Sequence, residues 1–298
     1  MNSISFIIPA YNCEKTLEES VQSILESNFA EGDEIIIIND ASTDNTLKLA
    51  SKLAVKNSAI KVLSHTINKG SAAASRNTGI DQAKNALIFC LDSDNILAPE
   101  SIAPLKKFVL DEKADAAAFG MIHYFINTPS NITDTATFKS GATTLDDALA
   151  GTQWPGPSGN YLFTKESWKK AGRYNESIGG AYDSWAFGIA QIATGAKLIC
   201  LPDTFYYHRH GYDSTFVTEN KKHSASLTAL SVLLPYLNLI KDEDVDYMFS
   251  KEHRYTWFEN LEKRPLHTKS GKDGINGTKV QKNSSIERVL WKIKKRLS

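Results

Sequence analysis

Phe89-Cys90-Leu91-Asp92-Ser93-Asp94-Asn95 is the stretch on which the fold turns, an apolar run that stops on two carboxylates one residue apart. A short, uninterrupted apolar segment bounded by polar residues reads as a buried strand of a parallel sheet. A strand ending on Asp-x-Asp offers hard oxygen ligands for Mg2+ or Mn2+ in the crevice outside the sheet's carboxyl edge, where a metal diphosphate would be held. Aspartates also end strands as plain helix caps and turn formers. The pair therefore takes its meaning from what the neighbouring strands end on.

Working outward, residues 4–9, 34–39, 60–64, 86–91 and 116–122 are strand candidates, and 14–26, 45–56, 71–84 and 100–110 carry apolar residues at helical spacing between them. This alternation predicts an α/β fold with a mostly parallel sheet covered by amphipathic helices on both faces. From about 125 to 180 the pattern loosens into turn formers, densest at Trp154-Pro155-Gly156-Pro157-Ser158-Gly159-Asn160, and reads as a substrate-facing loop. A helix over 183–194, a strand over 197–201 and then Tyr206-Tyr207-His208-Arg209-His210 follow, with helical patterning again beyond 220 and no internal repeat. The organisation expected is one main domain, 1–220, and a helical extension, 221–298.

Composition narrows the functions. Thirty-four basic residues balance thirty-four acidic ones across 298 residues, so no global field draws the chain to nucleic acid. Cys13, Cys90 and Cys200 lack metal-ligand spacing and read as reduced structural thiols. With no signal segment and no run of roughly twenty apolar residues, a cytoplasmic location is expected. The Asn131 and Asn283 sequons then need no glycan.

Three further turns follow strands on the same predicted edge. Pro9-Ala10-Tyr11-Asn12 would bring backbone and an aromatic ring to a nucleobase, although an ordinary turn reads the same way. In Asn39-Asp40-Ala41-Ser42-Thr43-Asp44, Asp40 could accept from a base or ribose, while Asp44 suits capping of the next helix. The run from Asn68 to Asn77 combines small residues with Lys69 and Arg76, cations for phosphate or simply solvated charges. Four polar clusters on one edge make the argument; none makes it alone.

This order closely resembles glycosyltransferase family 2, on Phe6-Ile7-Ile8-Pro9-Ala10-Tyr11-Asn12, Ile38-Asn39-Asp40-Ala41-Ser42-Thr43-Asp44, Gly70 through Arg76-Asn77-Thr78-Gly79, and Leu91-Asp92-Ser93-Asp94, within a match over residues 3–215. The resemblance implies a GT-A fold and transfer of a sugar from a nucleotide-diphosphate donor, with a UDP-sugar favoured, to an acceptor hydroxyl on a glycan, a lipid-linked substrate or a small molecule, in surface glycan or glycolipid assembly. It implies nucleotide-sugar contacts at Pro9, Ala10, Tyr11, Asp40, Lys69, Arg76, Asp92 and Ser93, and Mn2+ or Mg2+ at Asp94. The family's acidic pair at a helix start corresponds to Tyr182-Asp183 after the turn Gly172-Arg173-Tyr174-Asn175-Glu176, so one acid is absent and Asp183 is the candidate base of an inverting displacement. A helix N-terminus is expected to lower its pKa, and plain capping is the competing role.

His208 is a candidate metal or phosphate ligand. His208 and His210, two apart on a strand, also leave a zinc site open. Trp154, Asn160 and Trp185 are candidate acceptor or sugar contacts, and Trp168 reads as core. Residues 285–298 carry five positive charges against one negative, +5 − 1 = +4, on a helical apolar pattern with Trp291. That pattern fits peripheral contact with an anionic membrane face or docking on its own domain or a homodimer partner. The segment 269–283 reads as a linker. Two rivals stand beside the transferase. One is a nucleotidyltransferase, disfavoured by the lack of a glycine-rich, arginine-bearing first loop. The other is a non-catalytic binding module, favoured by the incomplete acidic pair. A processive synthase would carry membrane spans and a Gln-x-x-Arg-Trp segment, and neither is present.

Overall fold

The computed structural model of the chain describes residues 3–150, 159–178, 182–210 and 224–269. Trp154, residues 211–220 and the basic segment 285–298 lie outside the described residues. Strands β1 (Ile4–Ala10), β2 (Glu34–Asn39), β3 (Ile60–Ser64) and β4 (Leu87–Cys90) alternate with helices α1 (Leu17–Glu26), α2 (Thr46–Lys56) and α3 (Ala72–Gln82). β1 and β2 are buried along their whole length because helices cover both faces of the sheet, which is why they read as continuous runs of isoleucine and phenylalanine. Alternate residues feed two cores. Ile7, Ile36 and Ile38 face α3, whereas Phe6, Ile8 and Ile37 face α1 and α2 through Leu17, Val21, Ile24 and Leu53. Gly79 lets α3 sit close to the sheet, since a Cβ there would lie 2.6 Å from both Ile7 Cγ2 and Ile38 Cδ1.

The rest of the chain turns this half into a mixed ten-stranded sheet. Its further elements are β5 (Ile96–Leu97), α4 (Ile102–Asp111), β6 (Ala116–Phe125), β7 (Ile132–Thr137), β8 (Gly141–Ala142), α5 (Leu145–Leu149), β9 (Leu162–Thr164), α6 (Lys165–Lys170), α7 (Asp183–Ala193) and β10 (Leu198–Arg209). The strand order is β3-β2-β1-β4-β9-β6-β10-β5, with β7 on β6 and β8 on β10. β9 is antiparallel to both β4 and β6, while β6 and β10 are parallel, so β1 to β4, β6 and β10 all end on one edge. The stretch expected as one loose loop thus contains β7, β8, α5, β9 and α6, elements too short to show a period. β10 is also longer than its sequence expectation of 197–201: its register with β6 shifts between Leu201 and Phe205, where Pro202 has no N–H to give the ladder. That irregular strand carries His208 to the carboxyl edge.

The extension is helical, with α8 (Ala225–Leu233), a 3-10 turn (Leu234–Leu239), α9 (Asp242–Phe249) and a second 3-10 turn (Phe258–Asn260). It shares the core of the main unit: Ala229, Val232, Leu237, Met248 and Trp257 belong to the same apolar cluster as Leu149, Trp168 and Trp185. Buried Asp244 ties its end together, accepting from Arg264 Nη1 at 2.7 Å and the His267 amide at 2.7 Å. Among the described residues, no helix is long and apolar enough to cross a membrane.

Asn77 joins the two halves beneath the edge. Its Oδ1 accepts from Trp168 Nε1 and the Tyr174 amide, both at 3.1 Å, and its Nδ2 donates to Tyr174 O at 2.9 Å and Glu176 Oε1 at 2.7 Å. Trp168 is core, as its sequence setting suggested, and the 172–176 turn is fastened to α3. Removing this amide strands two buried donors, so Asn77→Ala is expected to destabilise the protein by roughly 2–4 kcal/mol. The check is a urea midpoint with unchanged slope, and a loss under about 0.5 kcal/mol would contradict the hub.

Candidate active site

Arg76 projects from α3 to the point where the end of β4 meets the start of α7. Its Nη2 lies 2.6 Å from Asp92 Oδ1 and its Nη1 lies 2.7 Å from Asp183 Oδ2, although 107 residues separate Arg76 from Asp183. The guanidinium side chain is only 4% exposed, and the Tyr174 ring lies beside it, 5.4 Å from Cζ to centroid. Two carboxylates hold this buried arginine in its charged form. Gly159 makes the packing possible: at φ +76, a Cβ would lie 2.8 Å from Ser184 Cβ and 3.8 Å from Arg76 Nη2. Arg76, expected to contact the nucleotide, has both terminal nitrogens bonded to acids.

Asp183 opens α7 at 2% exposure. Its Oδ1 accepts from the Ser184 amide at 2.7 Å and the Ser184 hydroxyl at 3.3 Å. The helix terminus was expected to lower its pKa. Instead burial pushes this carboxyl up, with the Asp92 charge adding and the Arg76 guanidinium pulling the other way. For a carboxylate asked to take a proton from a hydroxyl, the upward direction improves the match.

The two members of the Asp-x-Asp pair differ. Asp92 is held on both oxygens: besides Arg76, its Oδ2 accepts from Asn160 Nδ2 at 3.2 Å and Asn95 Nδ2 at 3.4 Å, and its amide donates to Asn160 Oδ1 at 2.9 Å. Asp94 sits on the open side of the same loop, and among the described residues no ion pair holds its carboxylate. Its pKa is pushed up to about 6, first by the protein around the carboxyl and then by the Asp92 charge, against a weaker pull from Arg209. A carboxylate with raised proton affinity and, among the described residues, no ion pair fits a cation in kind. Among the described residues, no group of three or more acids, histidines or cysteines converges to hold a metal alone, so further ligands would come from diphosphate oxygens and water.

His208 lies on the same edge, its Nδ1 3.3 Å from Asn95 Nδ2 and 3.5 Å from Tyr206 Oη. Burial lowers its pKa to about 4, so the ring is neutral around pH 7. His210 packs edge-on against Tyr124, with centroids 4.5 Å apart, and its centroid is 6.0 Å from that of His208. Arg209 is a strap: Nε donates to Asp94 O at 3.1 Å, Nη1 donates to Ile126 O and Asn127 O at 3.2 Å, and Nη2 pairs with Glu19.

On the nucleotide side, the Ala10 carbonyl accepts from the Asp40 amide at 2.8 Å, setting the ends of β1 and β2 side by side. Pro9 and Ala10 are buried, while the Tyr11 ring is 50% exposed. The Asp40 side chain is 6% exposed; its Oδ1 is 2.6 Å from His65 Nδ1, and both oxygens accept from the Lys69 amide at 3.1 Å. Lys69 itself is exposed, and Ser93 is half-buried. Asp44 lies just before α2 and accepts from the helix's first amide, that of Thr46, at 2.9 Å, while Asn45 holds the cap position. Sequence reasoning missed His65 and Asn95, which no motif marks. Two acceptor candidates are buried. Trp185, 6% exposed, packs edge-on against Phe258 at 5.4 Å between centroids, and its ring belongs to the core shared with the extension. Asn160 is buried and holds Asp92.

The sequence profile of glycosyl transferase family 2 matches residues 5–170. Over 265 residues the chain is 28% identical to glycosyltransferase GlyG of Streptococcus pneumoniae serotype 4, covering 80% of this chain and 87% of that protein. It is 30% identical over 191 residues to the chondroitin synthase of Pasteurella multocida, covering 60% of this chain but only 18% of the longer relative. Among solved structures, S. aureus TarS 1-349 in complex with UDP-GlcNAc matches with a TM-score of 0.63 at 19% identity, over 87% of this chain and 78% of that one. GalNAc-T7 with UDP, GalNAc and Mn2+ matches with a TM-score of 0.64 at 16% identity, over 88% and 53%. These likenesses show a shared GT-A fold, a central sheet flanked by helices. Since the family profile runs through β1 to β4 and the segments that carry Asp40, Arg76, Asp92 and Asp94, the chain belongs to glycosyl transferase family 2.

Proposed function

We propose that this protein is a metal-dependent, inverting glycosyltransferase that moves a sugar from a UDP-sugar to an acceptor hydroxyl in surface glycan or glycolipid assembly. The observation that carries the reading is the Arg76 bridge, which joins the Asp-x-Asp motif to the one acid at the start of α7. The pairing of TarS with UDP-GlcNAc supports the choice of donor. Tyr11 and Asp40 would receive the base, Lys69 would meet the diphosphate, Asp92 and Ser93 the sugar side, and Asp94 would hold Mn2+ or Mg2+ together with diphosphate oxygens. The cation, when bound, would neutralise charge developing on the departing diphosphate. Asp183 would accept the acceptor's hydroxyl proton as the new C1–O bond forms and the bond from C1 to the diphosphate oxygen breaks. Arg76 would keep Asp183 oriented, while Asn160 and Asn95 keep Asp92 still. Positioning must supply much of the rate, because a carboxylate is a weak base toward a sugar hydroxyl.

The rival, a nucleotide-sugar-binding module without catalysis, is favoured by one observation: Asp183 is nearly enclosed and both its oxygens are already bonded. Slow metal-dependent hydrolysis of the donor by purified protein separates the two, since a pure binder releases no free sugar. In the transferase, Asp183→Asn is expected to lower transfer roughly 10²–10⁴-fold while UDP still raises the melting temperature in the presence of Mn2+. Full turnover by that variant would remove Asp183 from the role.

Asp94 gives a pH signature. Its folded-state pKa, about 6, lies above its ordinary value of 3.8, so the ionised carboxylate destabilises the metal-free protein above pH 6, and that penalty disappears as protonation is completed near pH 4. Asp94→Asn is therefore expected to raise the melting temperature of metal-free protein at about pH 7.5, with the gain fading through pH 6. The same variant should lose the Mn2+-dependent part of UDP stabilisation. A constant gain at every pH, or unchanged Mn2+ dependence, would refute the assignment.

A further inference from the structure

His65 is the first residue after β3, and its amide extends the β2–β3 ladder by donating to Asn39 O at 2.9 Å, one residue before Asp40. Its side chain, 11% exposed, is held at both ring nitrogens. Nδ1 lies 2.6 Å from Asp40 Oδ1, and since an ionised carboxylate only accepts, this nitrogen is the donor. Nε2 lies 3.0 Å from Thr78 Oγ1, a hydroxyl that can donate or accept, so the ring keeps both bonds whether it is neutral or charged. Asp40 is held from the other side as well. Its carbonyl accepts from Asn68 Nδ2 at 3.1 Å, and the Lys69 amide is shared between its two carboxylate oxygens, 3.1 Å from each. The oxygens are therefore unequal: Oδ1 takes the short histidine bond and a share of the amide, while Oδ2 accepts from the Lys69 amide alone among the described residues.

We infer that His65 is a positioning residue for nucleobase selection: it occupies Asp40 Oδ1 and leaves Oδ2 to accept from a base that carries a ring N–H between its carbonyls, as uracil does and cytosine does not. The inference rests on the reading of Asp40 as the base contact. Against a carboxylate held in place, uracil N3–H gains a charge-assisted hydrogen bond, whereas cytosine N3 presents a lone pair to a negative oxygen. A carboxylate free to rotate could turn away from the wrong base. One braced on a ring cannot, and a site built around one hydrogen bond rejects the analogue that fails to make it. Thr78 stands two residues beyond Arg76 on α3, so the base-side carboxylate and the guanidinium bridge are braced by the same helix.

The test measures the affinity of the full chain for UDP and for CDP in one Mn2+ buffer, where diphosphate and cation contributions cancel in the ratio. Wild-type protein should prefer UDP roughly tenfold or more, the scale of one hydrogen bond to a charged group. His65→Ala should lose most of that preference through weaker UDP binding, with CDP binding little changed. Two further variants separate positioning from packing, because Asn places its Nδ2 close to where His65 Nδ1 donates, and Gln places its Nε2 near the position that meets Thr78. His65→Asn should therefore keep most of the preference and His65→Gln should lose it; should His65→Ala not fold, this pair carries the comparison. The reverse order, or equal losses of UDP and CDP affinity in every variant, would overturn the role and leave His65 as packing between β3 and α3. Asp40→Asn in the same assay judges the base contact separately. A wild-type preference that vanishes in Asp40→Asn but survives in His65→Ala or His65→Gln keeps Asp40 as the base contact and overturns His65 alone. Wild-type protein that binds UDP and CDP equally, or binds neither, would overturn the base contact itself and the inference with it.

Discussion

A guanidinium buried between two carboxylates is the constraint around which the site is built. Removing an arginine from water is costly unless its charge is matched and its N–H groups are used. Arg76 meets that requirement with Asp92 from the loop after β4 and Asp183 from the first turn of α7, so three segments distant in sequence have one low-energy relative position. Among the described residues its Nε has no hydrogen-bond partner, and the contacts that hold it are the two acid pairs and the neighbouring Tyr174 ring. Losing either acid would leave a buried cation half compensated, a larger penalty than the net worth of the pair. The arrangement also couples Asp183 to the Asp-x-Asp loop: the two carboxylates are held by one rigid, planar group.

Around that bridge the polar side chains divide into supporters and contactors. Asn160, Asn95, Asn77 and His65 are supporters, each oriented by a partner whose donor or acceptor character leaves no choice. Asn160 and Asn95 fix Asp92 and the Nδ1 edge of His208, Asn77 fixes the turn leading to α7, and His65 fixes Asp40. Tyr11, Lys69 and Asp94 are the groups left facing outward. A site of this kind is stiff behind and open in front, as a reaction that relies on positioning requires.

The architecture explains how such a site fits into one unit. The parallel strands deliver their turns to one edge, and β9, running the other way between β4 and β6, brings Asn160 under Asp92. The extension covers the face behind α7, with Trp257, Met248 and Leu237 completing the core that holds Trp168 and Trp185. Trp185 is therefore drawn inward: a large apolar ring is more stable against Phe258 and Tyr182 than in a wet acceptor groove.

By itself the sequence determined the first half of the sheet, since β2 and β3 coincide with the residues expected and β1, β4 and the helices between them differ at their ends by a few residues. Runs of buried β-branched residues and amphipathic helices are local patterns, and local patterns can be read without coordinates. The clustering of Asp40, Arg76 and Asp92 near one edge was legible for the same reason, because each turn follows its strand directly. Only the tertiary structure decided the partners. The bond between Arg76 and Asp183, the antiparallel seat of β9, the contact of Asn95 with His208 and the inward turn of Trp185 all join residues far apart in sequence, some through elements of two or three residues. Charge pairing and burial are properties of what surrounds a side chain, and those surroundings exist only once the chain has closed on itself.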